Sequence, residues 1–378
     1  MKIIKISILF GLILLVFSCK KSTEKSLPKT DNKGTVKYAK GFEIEEFKGY
    51  KKLIIKTPYQ NSDNVFEYLI YNKSAKKSIA LNQESIQVPI EKMVVTSTTH
   101  IPMIELLNEE NSLIGFPYSE YVSSAKTRVL IDNGNITEIG KESSLNTEIL
   151  LELQPELIVG YSVSSSDKTY TTIQKAGIPV IYNGDWLEEN PLGRAEWIKF
   201  FGLLYHKEKE ADSIFNVIEK NYFEAKEIAL KSTKKATILS GAIMNKDIWN
   251  LPAGESFVAT FLNDANVDYL WKETSGKGSL SLSFESVFDK GKDADFWIAP
   301  GYFSSKEQML KNSKLYAKFK AFKTDNIYTP STKKGKTGGV IYYELAPTRP
   351  DLVLKDIIKI TNPDLLPNYE LTFFEKMK

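Results

Sequence analysis

Hydrophobic and polar positions along the chain fall into three textures. Residues 1–18 join a basic start, Lys2 and Lys5, to an apolar run ending at Phe17. That run is too short to span a bilayer and reads as an export signal. Over 19–37 lysine, serine, threonine, aspartate and asparagine dominate with almost no apolar period, the pattern of a flexible tether. Short runs follow at 42–47, 53–56, 66–71 and 85–88, and their turn-rich spacing predicts a small antiparallel, β-rich extension over 38–88.

From Met93 onward, short apolar runs alternate with longer amphipathic stretches, which is the α/β pattern. Strands are predicted at 93–97, 157–161, 179–182, 237–241 and 296–299. The clearest helix lies between the third and fourth of these. Ala211, Ile214, Phe215, Ile218, Tyr222, Ala225 and Ala229 recur at spacings of three and four, and no Gly or Pro interrupts 206–230. Such a helix would be about 37 Å long and could join two lobes as a strut. An internal echo supports two lobes. Asn146-Thr147-Glu148 leads into Leu157-Ile158-Val159, and Ser283-Phe284-Glu285 leads into Phe296-Trp297-Ile298, each a capped short helix before a buried strand. The expected units are therefore a first lobe over 89–205, a linking helix over 206–231 and a second lobe over 232–378.

A chain of 378 residues exceeds what one core usually holds. Its formal charge of +3 gives no sign of a nucleic-acid partner. Only two histidines occur, His100 and His206, so zinc sites built from several His and Cys ligands are excluded. Cys19 is the only cysteine. An unpaired thiol in an oxidising compartment is a liability that a thioether to lipid removes. The segment Leu15-Val16-Phe17-Ser18-Cys19 resembles the bacterial lipobox, so Cys19 is the expected lipid anchor and the only link to a membrane.

Several segments taken in order resemble the class III periplasmic binding proteins of bacterial ABC importers, which capture ferric siderophores, haem or cobalamin. They are Val94-Val95-Thr96-Ser97-Thr98-Thr99-His100, the stretch 148–160, Gly177-Ile178-Pro179-Val180, Pro191-Leu192-Gly193-Arg194-Ala195-Glu196-Trp197, the long helix, and 285–299. The extension over 38–88 resembles an addition seen in Bacteroidetes members. The resemblance implies two Rossmann-like lobes joined by one stiff helix, with ligand held between them and little hinge closure. It implies a ferric chelate as cargo, with cobalamin or haem as alternatives, and no cofactor or catalysis. An ABC permease dimer with its ATPase subunits is the implied partner of a monomeric, lipid-anchored protein of the periplasm. Glu148 and Glu285 occupy the two positions where the family presents one carboxylate per lobe to permease arginines. On residue type alone, each is equally an acid favoured by the positive end of a helix.

Candidate ligand contacts come from loops beyond the carboxyl ends of strands, where α/β folds collect ligands. Arginine occurs only at 128, 194 and 349, so a planar fork is kept for particular places. Arg194 and Arg349 are candidates for the cleft, with ion pairs to Glu196 and Asp351 as the structural alternatives. Tyr161, Trp186, Trp249, Tyr302, Tyr342 and Tyr343 are rings suited to a large, flat or partly apolar ligand. His100, just after the first strand of the lobe, is placed to coordinate a haem iron or bond a chelate, or else to cap or face solvent. His206 reads as surface. The run Lys333-Lys334-Gly335-Lys336-Thr337-Gly338-Gly339 has its glycines after the lysine, unlike a phosphate loop, and reads as a mobile loop. A hydrolase using Ser97, Ser162 or Ser240 is the alternative from another class. It would have to recruit His100 or His206, and no Gly-x-Ser-x-Gly elbow occurs.

Overall fold

A computed structural model describes residues 36–72, 74, 85–141, 144–162 and 169–378. The export signal, Cys19 and the tether up to residue 35 lie outside the described residues. Period-two alternation in the next segment builds a four-stranded sheet. Its strands are β1 (Phe42–Phe47), β2 (Tyr50–Ile55), β3 (Phe66–Asn72) and β4 (Ser85–Val88), ordered β1-β2-β3-β4. The first three pair antiparallel as expected, but β4 joins β3 parallel, in register from Leu69↔Ser85 to Asn72↔Val88.

The extension is fastened to the first lobe. Phe42 packs on Trp197 at 4.6 Å between ring centroids. The approach to β1 is gripped by two buried carboxylates. Glu196 accepts from the backbone N–H of Lys37 at 2.8 Å, Tyr38 at 2.6 Å and Ala39 at 3.0 Å, and Glu188 accepts from Lys40 at 2.9 Å and Gly41 at 2.7 Å. Successive amides pointed at one anion satisfy donors that no strand ladder reaches. Lys199 neutralises Glu196 at 2.9 Å.

In the first lobe, β5 (Met93–Val95), β6 (Leu113–Phe116), β7 (Thr137–Glu138), β10 (Leu157–Gly160) and β11 (Val180–Tyr182) form a parallel sheet ordered β11-β10-β5-β6-β7. A hairpin of β8 (Gly140–Lys141) and β9 (Ser144–Leu145) stands beside it. Around the sheet run α1 (His100–Leu106), α2 (Ala125–Asp132), α3 (Thr147–Leu153), α4 (Thr169–Lys175), α5 (Pro191–Glu196) and α6 (Ile198–Leu204). Strands buried on both faces are continuously apolar. Met93, Val94 and Val95 are accordingly all buried.

The linking helix α7 (Glu208–Ala229) spans about 33 Å. It begins two residues later than its apolar stripe predicts because His206 takes a left-handed φ of 57°. Ala211, Phe215, Ile218, Tyr222, Ala225 and Ala229 form its buried face, with Ile214 half-buried at the edge.

The second lobe repeats the plan. β12 (Thr237–Ser240), β15 (Asp268–Tyr269), β17 (Phe296–Ile298), β18 (Ile327–Thr329) and β19 (Glu375–Lys376) are ordered β15-β12-β17-β18-β19, parallel except for β19. A second sheet of β13 (Ala242–Asn245), β14 (Ile248–Pro252) and β16 (Ser279–Ser283) is antiparallel and was not anticipated. The helices are α8 (Phe257–Asp264), α9 (Phe284–Gly291), α10 (Lys306–Asn312), α11 (Lys320–Lys323), α12 (Ile341–Leu345) and α13 (Pro350–Thr361). α7 packs against α6 of the first lobe and α13 of the second, so both lobes share one strut.

Trp249 lies on β14, which corrects its expected place in the cleft. It is fully buried, stacks on Trp297 at 5.1 Å and meets Tyr316 and Phe319 at 5.6 and 5.5 Å. Its Nε1 donates to the Ser240 carbonyl at 3.0 Å. A strand residue on the inward half of a period-two run belongs to the core.

Candidate functional site

The carboxyl ends of β5, β6 and β10 meet the second lobe across a cleft with a cavity of about 410 Å³. Thr96, Ser97 and Thr98 follow β5, Phe116, Pro117, Tyr118 and Tyr121 lie at or after the end of β6, and Tyr161 follows β10. Tyr302, Gly338, Gly339, Val340 and Tyr343 face them from the second lobe. Tyr118 and Tyr121 pair at 5.8 Å between ring centroids, and Tyr302 and Tyr343 at 6.0 Å. Tyr302 is 70% exposed and Tyr121 58%, so large rings stand open to solvent across the seam. No charged side chain lines this cavity among the described residues.

Of the expected ligand contacts, Tyr161, Tyr302 and Tyr343 line this cleft. Trp186 stands behind Tyr161, edge-on at 5.6 Å, with a buried Nε1 that has no hydrogen-bond partner among the described residues. The other contacts are corrected. Tyr342 turns inward onto Phe373 and Phe374 at 5.7 and 5.5 Å, leaving its neighbour Tyr343 at the opening. His100 opens α1, is fully buried and packs on Phe201 at 5.5 Å. Burial pulls its pKa down to about 4 despite the opposing influence of Asp185 and Asn183, so it is a neutral core imidazole.

Arg194 is not among the residues that line this cavity, nor does it pair with Glu196, whose oxygens are already taken. Its Nε donates to the Glu188 carbonyl at 3.0 Å and its Nη2 to the Trp186 carbonyl at 2.8 Å. Its guanidinium lies 3.7 Å from the ring centre of Phe257 on α8, bridging the lobes. Arg349 forks onto Asp351 at 2.9 and 2.8 Å, so the ion-pair alternative is the one realised there. Sequence reasoning missed Phe116 to Tyr121 because β6 is four residues long and contains Gly115. The available signal was a tyrosine pair just after a short apolar run.

Glu148 and Glu285 are each the second residue of a short capped helix. Asn146 caps α3 by accepting from the Glu148 and Ile149 amides, and Ser283 caps α9 by accepting from Ser286. Both glutamates are exposed, and neither carboxylate makes an ion pair among the described residues. α3 turns directly into β10 and α9 into β17. A helix antiparallel to the strand that follows it brings its N-terminus beside that strand's carboxyl end, which is the side where the cleft opens.

The 333–339 run docks against the first lobe. Lys336 pairs with Asp132 at 2.9 Å and Thr337 donates to the Glu120 carbonyl at 2.7 Å. A Cβ on Gly339 would stand 2.1 Å from the Tyr121 carbonyl oxygen, so only glycine permits this approach. Next along the chain, buried Glu344 accepts from the Ser123 and Ser124 amides at 2.6 and 2.9 Å, at the start of α2. Burial raises its pKa to about 7, opposed by those amides and aided by neighbouring Glu105.

A carboxyl raised by the fold contributes stability that is full below the ordinary value of 4.5 and is lost as pH rises through about 7. Thermal stability of the wild type should therefore fall between those values by up to about 3 kcal/mol more than that of Glu344→Gln. Parallel stability curves for the two proteins would remove Glu344 as the cause.

Comparison with known proteins agrees with this geometry. An uncharacterized lipoprotein of Methanocaldococcus jannaschii is 27% identical over 327 residues, covering 82% of this chain and 76% of its own. A possible iron-binding, periplasmic solute-binding protein from Staphylococcus epidermidis superposes with a TM-score of 0.56 at 18% identity, covering 73% of this chain and all of its own. The periplasmic haem-binding protein HutB of Vibrio cholerae gives 0.54 at 17% identity, over 70% and 99% of the two chains. Residues 93–332 match the periplasmic binding protein family, and with two α/β lobes on a single helical strut the chain belongs to that family in its class III form.

Proposed function

We propose that this protein captures an uncharged metal chelate, with a neutral ferric chelate as the leading cargo, and delivers it to an ABC permease from a lipid anchor on Cys19 outside the cytoplasm. The observation that supports the reading is a cleft rich in tyrosine and hydroxyl groups, with no charged side chain on its wall among the described residues. Rings with polar edges bury the apolar body of a chelate while bonding its few polar atoms. An anion placed there would lose hydration without gaining a cation, which disfavours tricatecholates and favours neutral trihydroxamates. The same wall suits a corrinoid, whose rim is amide, and cobalamin is the second reading. Haem is less well served, because His100 is sealed in the core and a tyrosine oxygen would have to take the axial place. The relative named as a lipoprotein supports the anchor. No helix among the described residues is long and apolar enough to cross a membrane.

Calorimetry of the lipid-free protein with a neutral ferric trihydroxamate, a ferric tricatecholate, cyanocobalamin and haemin tests the proposal. The trihydroxamate should bind at about micromolar affinity or tighter and the tricatecholate roughly a hundredfold more weakly. Preference for the tricatecholate would overturn the reading, and binding of cyanocobalamin alone would select the corrinoid.

A further inference from the structure

Two hydroxyls that follow β5, those of Thr96 and Ser97, have their protons committed. Thr99 Oγ1 donates to Asp185 Oδ2 at 2.7 Å, and Asp185 is 1% exposed. A hydroxyl has one proton. Thr99 therefore has none to give Ser97, whose Oγ lies 2.9 Å away, so Ser97 donates to Thr99. The neighbouring position repeats the logic. Tyr170 donates to the Tyr161 carbonyl at 2.9 Å, so Thr96 Oγ1 must donate to Tyr170, also at 2.9 Å, while it accepts from the Tyr161 amide at 2.8 Å. Ser97 lines the cavity and is half-buried, whereas Thr96 is almost covered. What the floor offers a ligand at Ser97 is a lone pair and no proton.

We infer that Ser97, oriented by the Thr99–Asp185 relay, is a specificity residue that selects a chelate carrying an N–H or O–H donor on the face laid against β5. This rests on the proposal that the cleft holds an uncharged chelate, and it narrows that class to ligands with amide or hydroxyl donors on the rim. A ligand that brings only acceptors to this point sets lone pair against lone pair and loses a hydrogen bond in a desolvated place. Thr99 and Asp185 act through Ser97 and are positioning residues. The buried carboxylate gives the relay one direction, as a neutral side chain would not.

Two probes test the inference: the ferric complex of a cyclic trihydroxamate peptide with free backbone N–H groups, and the same complex with those groups methylated. Wild type should prefer the N–H form by about tenfold, the size of one hydrogen bond of typical strength. Ser97→Ala should reduce that preference to about twofold. Thr99→Val keeps the shape but frees the Ser97 proton, so it should also narrow the preference and should raise affinity for the methylated probe. Equal binding of both probes by the wild type would overturn the inference, as would an unchanged preference in both variants, each checked for folding by its melting curve. Failure of the wild type to bind either probe would count against the proposed cargo.

Discussion

Replacing Glu148 and Glu285 together with alanine is expected to lower uptake at least about tenfold while ligand affinity stays at its wild-type value. Both carboxylates are exposed, lack ion pairs among the described residues, and stand at the starts of helices that feed β10 and β17. Two charges on lobes fixed by one strut can set the orientation of this protein on the two-fold permease proposed as its partner, and neither lines the cavity. Each single variant should keep part of the uptake, since one contact still allows docking but orients it poorly. Charge reversal to lysine should be worse than alanine, because repulsion is added to the lost attraction. The helix-end alternative predicts a loss of about 0.5 kcal/mol in stability per site and normal uptake. That cost is small here because Asn146 and Ser283, not the glutamates, cap the helices. Wild-type uptake by the double variant would end the docking proposal.

Trp249→Ala should cost about 3–5 kcal/mol of stability, the range for emptying a large aromatic from a core. Four aromatic contacts, with Trp297, Tyr316, Phe319 and Phe284, and the bond to the Ser240 carbonyl are lost together. Trp249→Phe should keep most of the packing. Urea titration measures the loss, and calorimetry under folding conditions should show cargo affinity little changed. A ligand-facing tryptophan would give the opposite pair of results, with affinity lost and stability kept.

The contrast between Trp249 and Tyr161 shows how far the sequence could be read. The stripe of α7 and the turn-bounded short runs of β1 and β3 were legible because such local patterns need no knowledge of distant residues. β13, β14 and β16 escaped because their burial depends on a layer formed with Trp297 and Phe319, far along the chain. Arginine scarcity identified residues that use a fork, but not what the fork would hold. At Arg194 it holds two backbone carbonyls and at Arg349 a carboxylate two residues away. Half of the aromatic site was visible as rings after strands. Whether a ring faces the seam or the core, as with Tyr343 and Tyr342, is settled by one residue of helical rotation. The buried carboxylates gave least warning. Glu188 meets Gly41 across 147 residues and Glu344 meets Ser123 across 221, and nothing local marks either end.

If the proposed lipid on Cys19 holds the protein by its N-terminus, the grip of Glu196 and Glu188 on residues 37–41 has a mechanical meaning. A lipid on Cys19 would transmit force through a leash that, fully extended from Cys19 to Lys37, spans about 60 Å. The load reaches the fold at Lys37, where Tyr38 also donates to Glu219 on α7 at 2.6 Å. Five amide bonds to two carboxylates, set in the first lobe and braced by the strut, share that load. The sheet β1-β2-β3-β4 is thereby shielded from being unzipped one bond at a time from its edge. Tension between membrane and permease would be borne beside α7, leaving the cleft undistorted while the cargo changes hands.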